Sequence, residues 1–167
     1  FRQRYLASDL AFGICPEMLQ KLGPHRNSRV FYPPGQVSGA KIQRADVPAT
    51  IAETEHTKTF NVLFAGNLGQ WYGRMLLQLA NSLEHQADIQ LRIAGGNHSW
   101  ETQDVERLTD QGVFLGFLKG EAYQTALQEA DALLVMMGFE AESRLIESTS
   151  FKSKLADYLV AGKPIIV

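Results

Sequence analysis

From Phe60 to Val167 short apolar runs alternate with amphipathic stretches, and no other feature of the chain constrains its fold as strongly. The runs Phe60–Ala65, Ile89–Ala94, Val113–Leu115, Asp131–Met137 and the closing Ile165-Ile166-Val167 read as strands with no wet face. Strands buried on both faces belong to parallel sheets covered by helices. The intervening stretches supply those helices. Tyr72–Leu83 carries Met75, Leu76, Leu79 and Leu83 at helical spacing. Trp100–Asp110, Glu121–Glu129 and the stretch leading to Ala161 follow, and Gly162-Lys163-Pro164 makes a tight turn. The expected fold class is α/β, a Rossmann-like doubly wound parallel sheet. Gly66, Gly95, Gly116 and Gly138 each follow a strand, so all four are expected near the carboxyl edge of the sheet, where such folds bind ligands.

The chain before Phe60 has a different rhythm. Asp9–Cys15 reads as a short buried strand, and Pro16 starts a helix over Glu17–Leu22 that Gly23-Pro24 stops. Ser28–Tyr32 reads as another strand, ended by Pro33-Pro34-Gly35. Gln36–Thr59 is polar and without periodicity. A length of 167 residues suits one domain, or one domain with a piece of another. The expected organisation is 1–36 as the end of one domain, 37–59 as a linker, and 60–167 as the main domain. Phe1 is no natural start and Val167 falls within an apolar run, so the chain reads as a fragment truncated at both ends.

The stretch Glu147–Val167 carries the densest chemistry. Ser150, Ser153 and Lys154 sit where its helix should begin, and Asp157 follows one turn later. Backbone N–H groups at a helix start, a cation and a hydroxyl acceptor would then surround one point, as a nucleoside diphosphate with its ribose requires. Serine is also an ordinary helix cap, and Lys154 with Asp157 is also an ordinary surface ion pair. Gly66-Asn67-Leu68-Gly69 is the second constellation. Glycine lets backbone approach a phosphate closely, and a plain strand-to-helix turn remains the alternative. The loop lacks the Gly-x-Gly-x-x-Gly spacing, which disfavours NAD.

These residues together resemble the GT-B glycosyltransferases of the "group 1" (family four) type. That family has a helix ending in Ala-x-x-Ala-Gly-Lys-Pro-Val-Val, with an acidic residue five positions before the glycine; Gly162 and Asp157 correspond. One subgroup has Ser-x-Pro-Ser-Lys at the helix start, and Ser150-Phe151-Lys152-Ser153-Lys154 is similar, with Lys152 in the proline's place. Phe64–Gly69, Ile93-Ala94-Gly95, Val113–Phe117 and Glu129–Val135 match further landmarks in the right order. The resemblance covers the whole chain. It implies that 60–167 is the donor-binding, C-terminal half of a GT-B fold and 1–36 the end of the acceptor domain. Donor contacts would come from Gly66, Asn67, Leu68, Gly69, Ser150, Ser153, Lys154 and Asp157. The implied activity is metal-independent transfer of a sugar, usually with retention, from a nucleoside diphosphate sugar to a sugar or lipid-linked acceptor, with the isolated chain inactive. No residue qualifies as catalytic base. Two alternatives stay open: a nucleotide-sugar epimerase of the same fold, and a degenerate domain that binds without catalysis. The second gains from Thr149, which stands where many members have the sugar-contacting Glu; Glu140, Glu142 and Glu147 lack the spacing.

Other features read as ordinary. Arg74 stands after the glycine loop, where the resembling family often has cations that neutralise the leaving phosphate; a solvated helix residue is the favoured reading. Trp71-Tyr72 could line a sugar, with packing or hinge contact the favoured reading, and Met136-Met137 reads as core or pocket lining. His25, His56, His85 and His98 are scattered, and no Asp-x-Asp occurs; no metal and no cofactor are expected. A net charge of −2 gives no reason to expect nucleic acid. The single Cys15 excludes an internal disulfide. No apolar run approaches the roughly 20 residues of a spanning helix. A cytoplasmic location is the expectation, with a peripheral place at the inner face of the membrane left open for the full-length protein.

Overall fold

The computed structural model describes residues 2–32, 59–138, 141, 143–149 and 152–167. The linker expected over 37–59 lies outside them except for Thr59, as do Ser150, Phe151, Glu140 and Glu142; the Trp71 side chain is likewise not described.

A four-stranded parallel sheet forms the centre. Its strands are β3 (Phe60–Asn67), β4 (Ile89–Gly96), β5 (Ala132–Leu134) and β6 (Ile165–Ile166), in the order β4-β3-β5-β6. Val113–Leu115 adds an extended edge outside β4: Ile93 N–H donates to Val113 O at 2.7 Å, and Leu115 N–H to Ile93 O at 2.9 Å. Only Phe114 forms a parallel bridge there, so the expected third strand is a single pairing and no more. Counted along the chain from Phe60, the order runs third, second, first, fourth, fifth. It reverses between β3 and β5 and is compatible with a Rossmann-like, doubly wound sheet.

Period-two alternation sends the side chains of β3 to two cores. Val62 and Phe64 pack with Leu91, Ile93, Leu76 and Leu108; the last two belong to α3 (Gln70–Leu83) and α4 (Thr102–Asp110). Leu63 and Ala65 face the other way, onto Leu127 of α5 (Gly120–Glu129) and Tyr158 of α7 (Ser153–Ala161). Helices therefore cover both faces, which is why β3 can be apolar throughout. Tyr158 is 1% exposed. Its hydroxyl accepts from Ala65 N–H at 2.8 Å and donates to Ala65 O at 3.3 Å, so a polar group is buried with its bonds satisfied. Burial pushes that hydroxyl's pKa up to about 12. Gly162 ends α7 in the left-handed conformation, φ 67°, the usual reason for glycine at a helix end.

The closing strand corrects one expectation. Ile165-Ile166-Val167 reads as buried, yet β6 lies at the sheet edge, with Ile166 and Val167 exposed.

The first residues form a separate two-stranded parallel sheet, β1 (Ala11–Gly13) with β2 (Ser28–Val30), joined by α2 (Pro16–Leu22). It is preceded by α1 (Arg2–Ala7), which the sequence reading does not anticipate. Between β5 and α7 lies α6 (Arg144–Thr149), in a stretch read as loop. Against it rests α2, and Cys15 Sγ–H donates to Thr149 O at 3.2 Å. No described helix is long and apolar enough to cross a membrane.

Candidate functional site

The carboxyl ends of β3 and β4 are locked in register, Gly66 opposite Gly95 and Asn67 opposite Gly96. Gly95 cannot be replaced there: a Cβ would lie 2.0 Å from Gly66 O. Gly116 O accepts from Gly95 N–H at 2.8 Å, and Gly138 follows β5 on the same edge. The four glycines thus gather where the sequence pattern places them.

A cavity of about 570 Å³ opens over this edge. Gly66, Asn67, Gly95, Gly96 and Asn97 form one wall, Phe117, Lys119 and Tyr123 another, and Lys154 and Asp157 reach in from α7. A three-residue spacing in the first turns of α7 puts the last two side chains on one face. Lys154 Nζ lies 3.8 Å from Asp157 Oδ2 and 4.8 Å from the Tyr123 ring centroid. Tyr123 O–H donates to Asp157 Oδ2 at 3.4 Å. Burial, and then the Asp157 charge, pushes the Tyr123 hydroxyl pKa up, so it remains a donor at neutral pH. The Lys154–Asp157 ion pair of the plainer reading forms, loosely, and does so inside a cavity.

A second cavity of about 240 Å³ lies on the other side of Gly66-Asn67, between the ends of β3 and β5. This is where the strand order reverses. Its floor is Phe64, Leu134, Val135 and Met136, and Tyr72, Lys152, Ser153 and Tyr158 complete it. Ala65, Gly66, Asn67 and Lys154 line both cavities, so the two are lobes meeting over Gly66-Asn67.

The small lobe is bordered by a polar cluster. Tyr72 O–H donates to Glu147 Oε1 at 2.6 Å, and Gly138 N–H to the same oxygen at 2.9 Å. Lys152 Nζ lies 2.5 Å from both Glu147 Oε2 and the Tyr72 hydroxyl oxygen. Burial raises the Glu147 pKa, but the bonds from Lys152, Tyr72 and Gly138 outweigh it and hold the carboxyl below its ordinary value. For Lys152 burial lowers the pKa, and the contacts with Glu147 and Tyr72 outweigh it and raise it. Burial, followed by the bond to Glu147, raises that of Tyr72.

Of the residues singled out from sequence, Gly66, Asn67, Lys154 and Asp157 line the large lobe, and Ser153 the small one. Leu68 is fully buried in the core, and its N–H donates to Gly96 O at 2.9 Å. Gly69 precedes α3 and donates its N–H to Asn67 Oδ1 at 3.1 Å; neither lines the lobes among the described residues. Thr149 turns away: its hydroxyl donates to Leu145 O at 2.5 Å. Arg74 is exposed on α3. Tyr123, Phe117 and Lys119 carry no site role in the sequence pattern, and nothing in it brings Tyr72, Glu147 and Lys152 together. The available signal was Lys152 itself, a cation where the resembling motif has proline.

No protein-family model matches the chain, and no curated protein matches it.

Proposed function

We propose that this chain carries the nucleoside diphosphate sugar site of a glycosyltransferase of the GT-B type. One observation carries the reading. Lys154 and Asp157 project from α7 into the cavity walled by Gly66, Asn67, Gly95 and Gly96 at the carboxyl edge of a parallel sheet. Each part suits one piece of the ligand. The glycines admit phosphate close to backbone. The start of α7, whose Lys152 side chain makes no cap, offers N–H groups for an anion. Lys154 adds a mobile positive charge. Asp157 accepts from ribose hydroxyls, and both oxygens of a carboxylate can serve a cis-diol.

In the full reaction this end of α7 would bear the charge that develops on the leaving diphosphate. Donors fixed beforehand in a partly dry cleft stabilise such charge without reorganisation. On this reading the acceptor and any general base belong to groups other than the described residues that line the cleft.

The test is a thermal-shift screen with UDP, GDP, ADP and dTDP, since a ligand selective for the folded state raises its stability. At least one should raise the melting temperature, and Asp157→Ala should weaken its binding by about 1–3 kcal/mol, the loss of hydrogen bonding to a charged group. No response to any nucleotide, or an unchanged dissociation constant in Asp157→Ala, contradicts the assignment.

A further inference from the structure

The two lobes differ in how their cations are neutralised, and that difference has a consequence for what each can hold. Lys154 is 46% exposed and sits 3.8 Å from its carboxylate. Lys152 is 20% exposed, and its partner Glu147 only 11%, at 2.5 Å. The Tyr72–Glu147–Lys152 cluster therefore has no net charge, and it borders a lobe floored by Phe64, Leu134 and Met136. A second anion placed there would be poorly solvated, beside an ammonium whose charge Glu147 already neutralises. A neutral polyhydroxylated group faces no such penalty.

Hydrogen-bond capacity points the same way. Within the cluster the Tyr72 hydroxyl donates to Glu147 and accepts from Lys152. Glu147 Oε1 already accepts from two donors. An ammonium has three N–H donors. Among the described residues Lys152 donates to Tyr72 and is ion-paired with Glu147, and the side chain lines the small lobe. That leaves an N–H for whatever enters.

Resting on the nucleotide reading above, we propose that the 240 Å³ lobe holds the glycosyl group of the donor, that this group is an uncharged sugar, and that Lys152 donates to one of its hydroxyls. The diphosphate bridges the lobes over Gly66-Asn67 beside Lys154. The sugar's less polar face rests on Phe64 and Met136. Glu147 and Tyr72 are positioning residues: they hold the ammonium and cancel its charge, so that the lobe selects a hydroxyl over a carboxylate.

The test compares matched ligands by calorimetry: UDP with UDP-glucose and UDP-glucuronate, and in parallel GDP with GDP-mannose and dTDP with dTDP-glucose. In the wild-type chain UDP-glucuronate should bind at least tenfold more weakly than UDP-glucose. Lys152→Met should weaken the neutral sugar nucleotides about tenfold, one hydrogen bond to a charged donor, and change the free diphosphates less than twofold. Lys152→Arg keeps the donor and the ion pair, so it should recover most of the loss and controls for folding. Equal weakening of diphosphate and sugar diphosphate by Lys152→Met overturns the assignment and leaves the nucleotide site standing. Sugar-nucleotide binding unchanged in Lys152→Met, or equal binding of glucose and glucuronate donors by the wild type, does the same. A wild-type chain that binds none of these ligands overturns the nucleotide reading, and this inference falls with it.

Discussion

Lys152 and Lys154 are two residues apart, yet one is built into the molecule and the other stands in a cleft. Lys152 is fastened to Glu147 and Tyr72, residues on α6 and α3, and ties three elements together. Lys154 pairs only loosely with Asp157 on its own helix. A desolvated ion pair resists the loss of either partner, because the survivor is left as an uncompensated charge. A half-exposed pair across one helical turn contributes little to stability, and its charges stay available. The same residue type therefore serves scaffold in one case and ligand capture in the other, and burial decides which.

Glu147→Ala should break that contrast most visibly. It removes the counter-ion of Lys152 and leaves the Gly138 N–H without its acceptor, and should cost about 3 kcal/mol, the lower end for losing one member of a buried pair. Urea denaturation measures it; a loss under about 1 kcal/mol would mean that the cluster is as loose as the Lys154 pair. Next comes Tyr158→Phe, which removes the hydroxyl bonded to Ala65. An orphaned buried amide should cost about 1–3 kcal/mol, and an unchanged midpoint would show that water replaces the hydroxyl.

A smaller effect lies in the pH dependence of the Glu147–Lys152 pair. The Glu147 carboxyl is held below its ordinary 4.5. Its contribution is therefore fully present above that value and is lost as pH falls through the depressed folded-state value. The Lys152 pKa is raised above 10.5, so its contribution is complete below 10.5 and is lost only as pH rises through the higher folded value. Between these limits the pair is intact. Glu147→Gln should flatten the stability profile below about pH 4.5 relative to the wild type. The smallest effect belongs to Lys154→Ala, which should shift stability by less than about 0.5 kcal/mol. A larger loss would make Lys154 a scaffold residue too.

The parts of the molecule that sequence reveals are those governed by local spacing. The double-faced apolar runs announce β3 and β4, and glycines after strands announce the carboxyl edge. Lys154 and Asp157 share a face because a helix puts residues three apart together. What escapes is set by tertiary contact. The Tyr72–Glu147 and Tyr72–Lys152 bonds join residues 75 and 80 positions apart, and no periodicity encodes such a meeting. Leu68 reads as loop yet is fully buried, because β3 runs on to Asn67 and turns the next side chain into the core. Ile166 and Val167 look buried and are exposed, because apolarity does not distinguish a central strand from an edge. The six-residue helices α1 and α6 are too short to show a hydrophobic stripe.

The most direct measurement is a titration of isotopically labelled protein with UDP, GDP and ADP, followed by amide resonances. The account predicts saturable shifts centred on Gly66, Asn67, Gly95, Gly96, Ser153 and Lys154, with the β1–β2 unit unmoved. Shifts centred on that unit or on α4, or none with any of the three nucleotides, would contradict a nucleotide site at the carboxyl edge of the sheet.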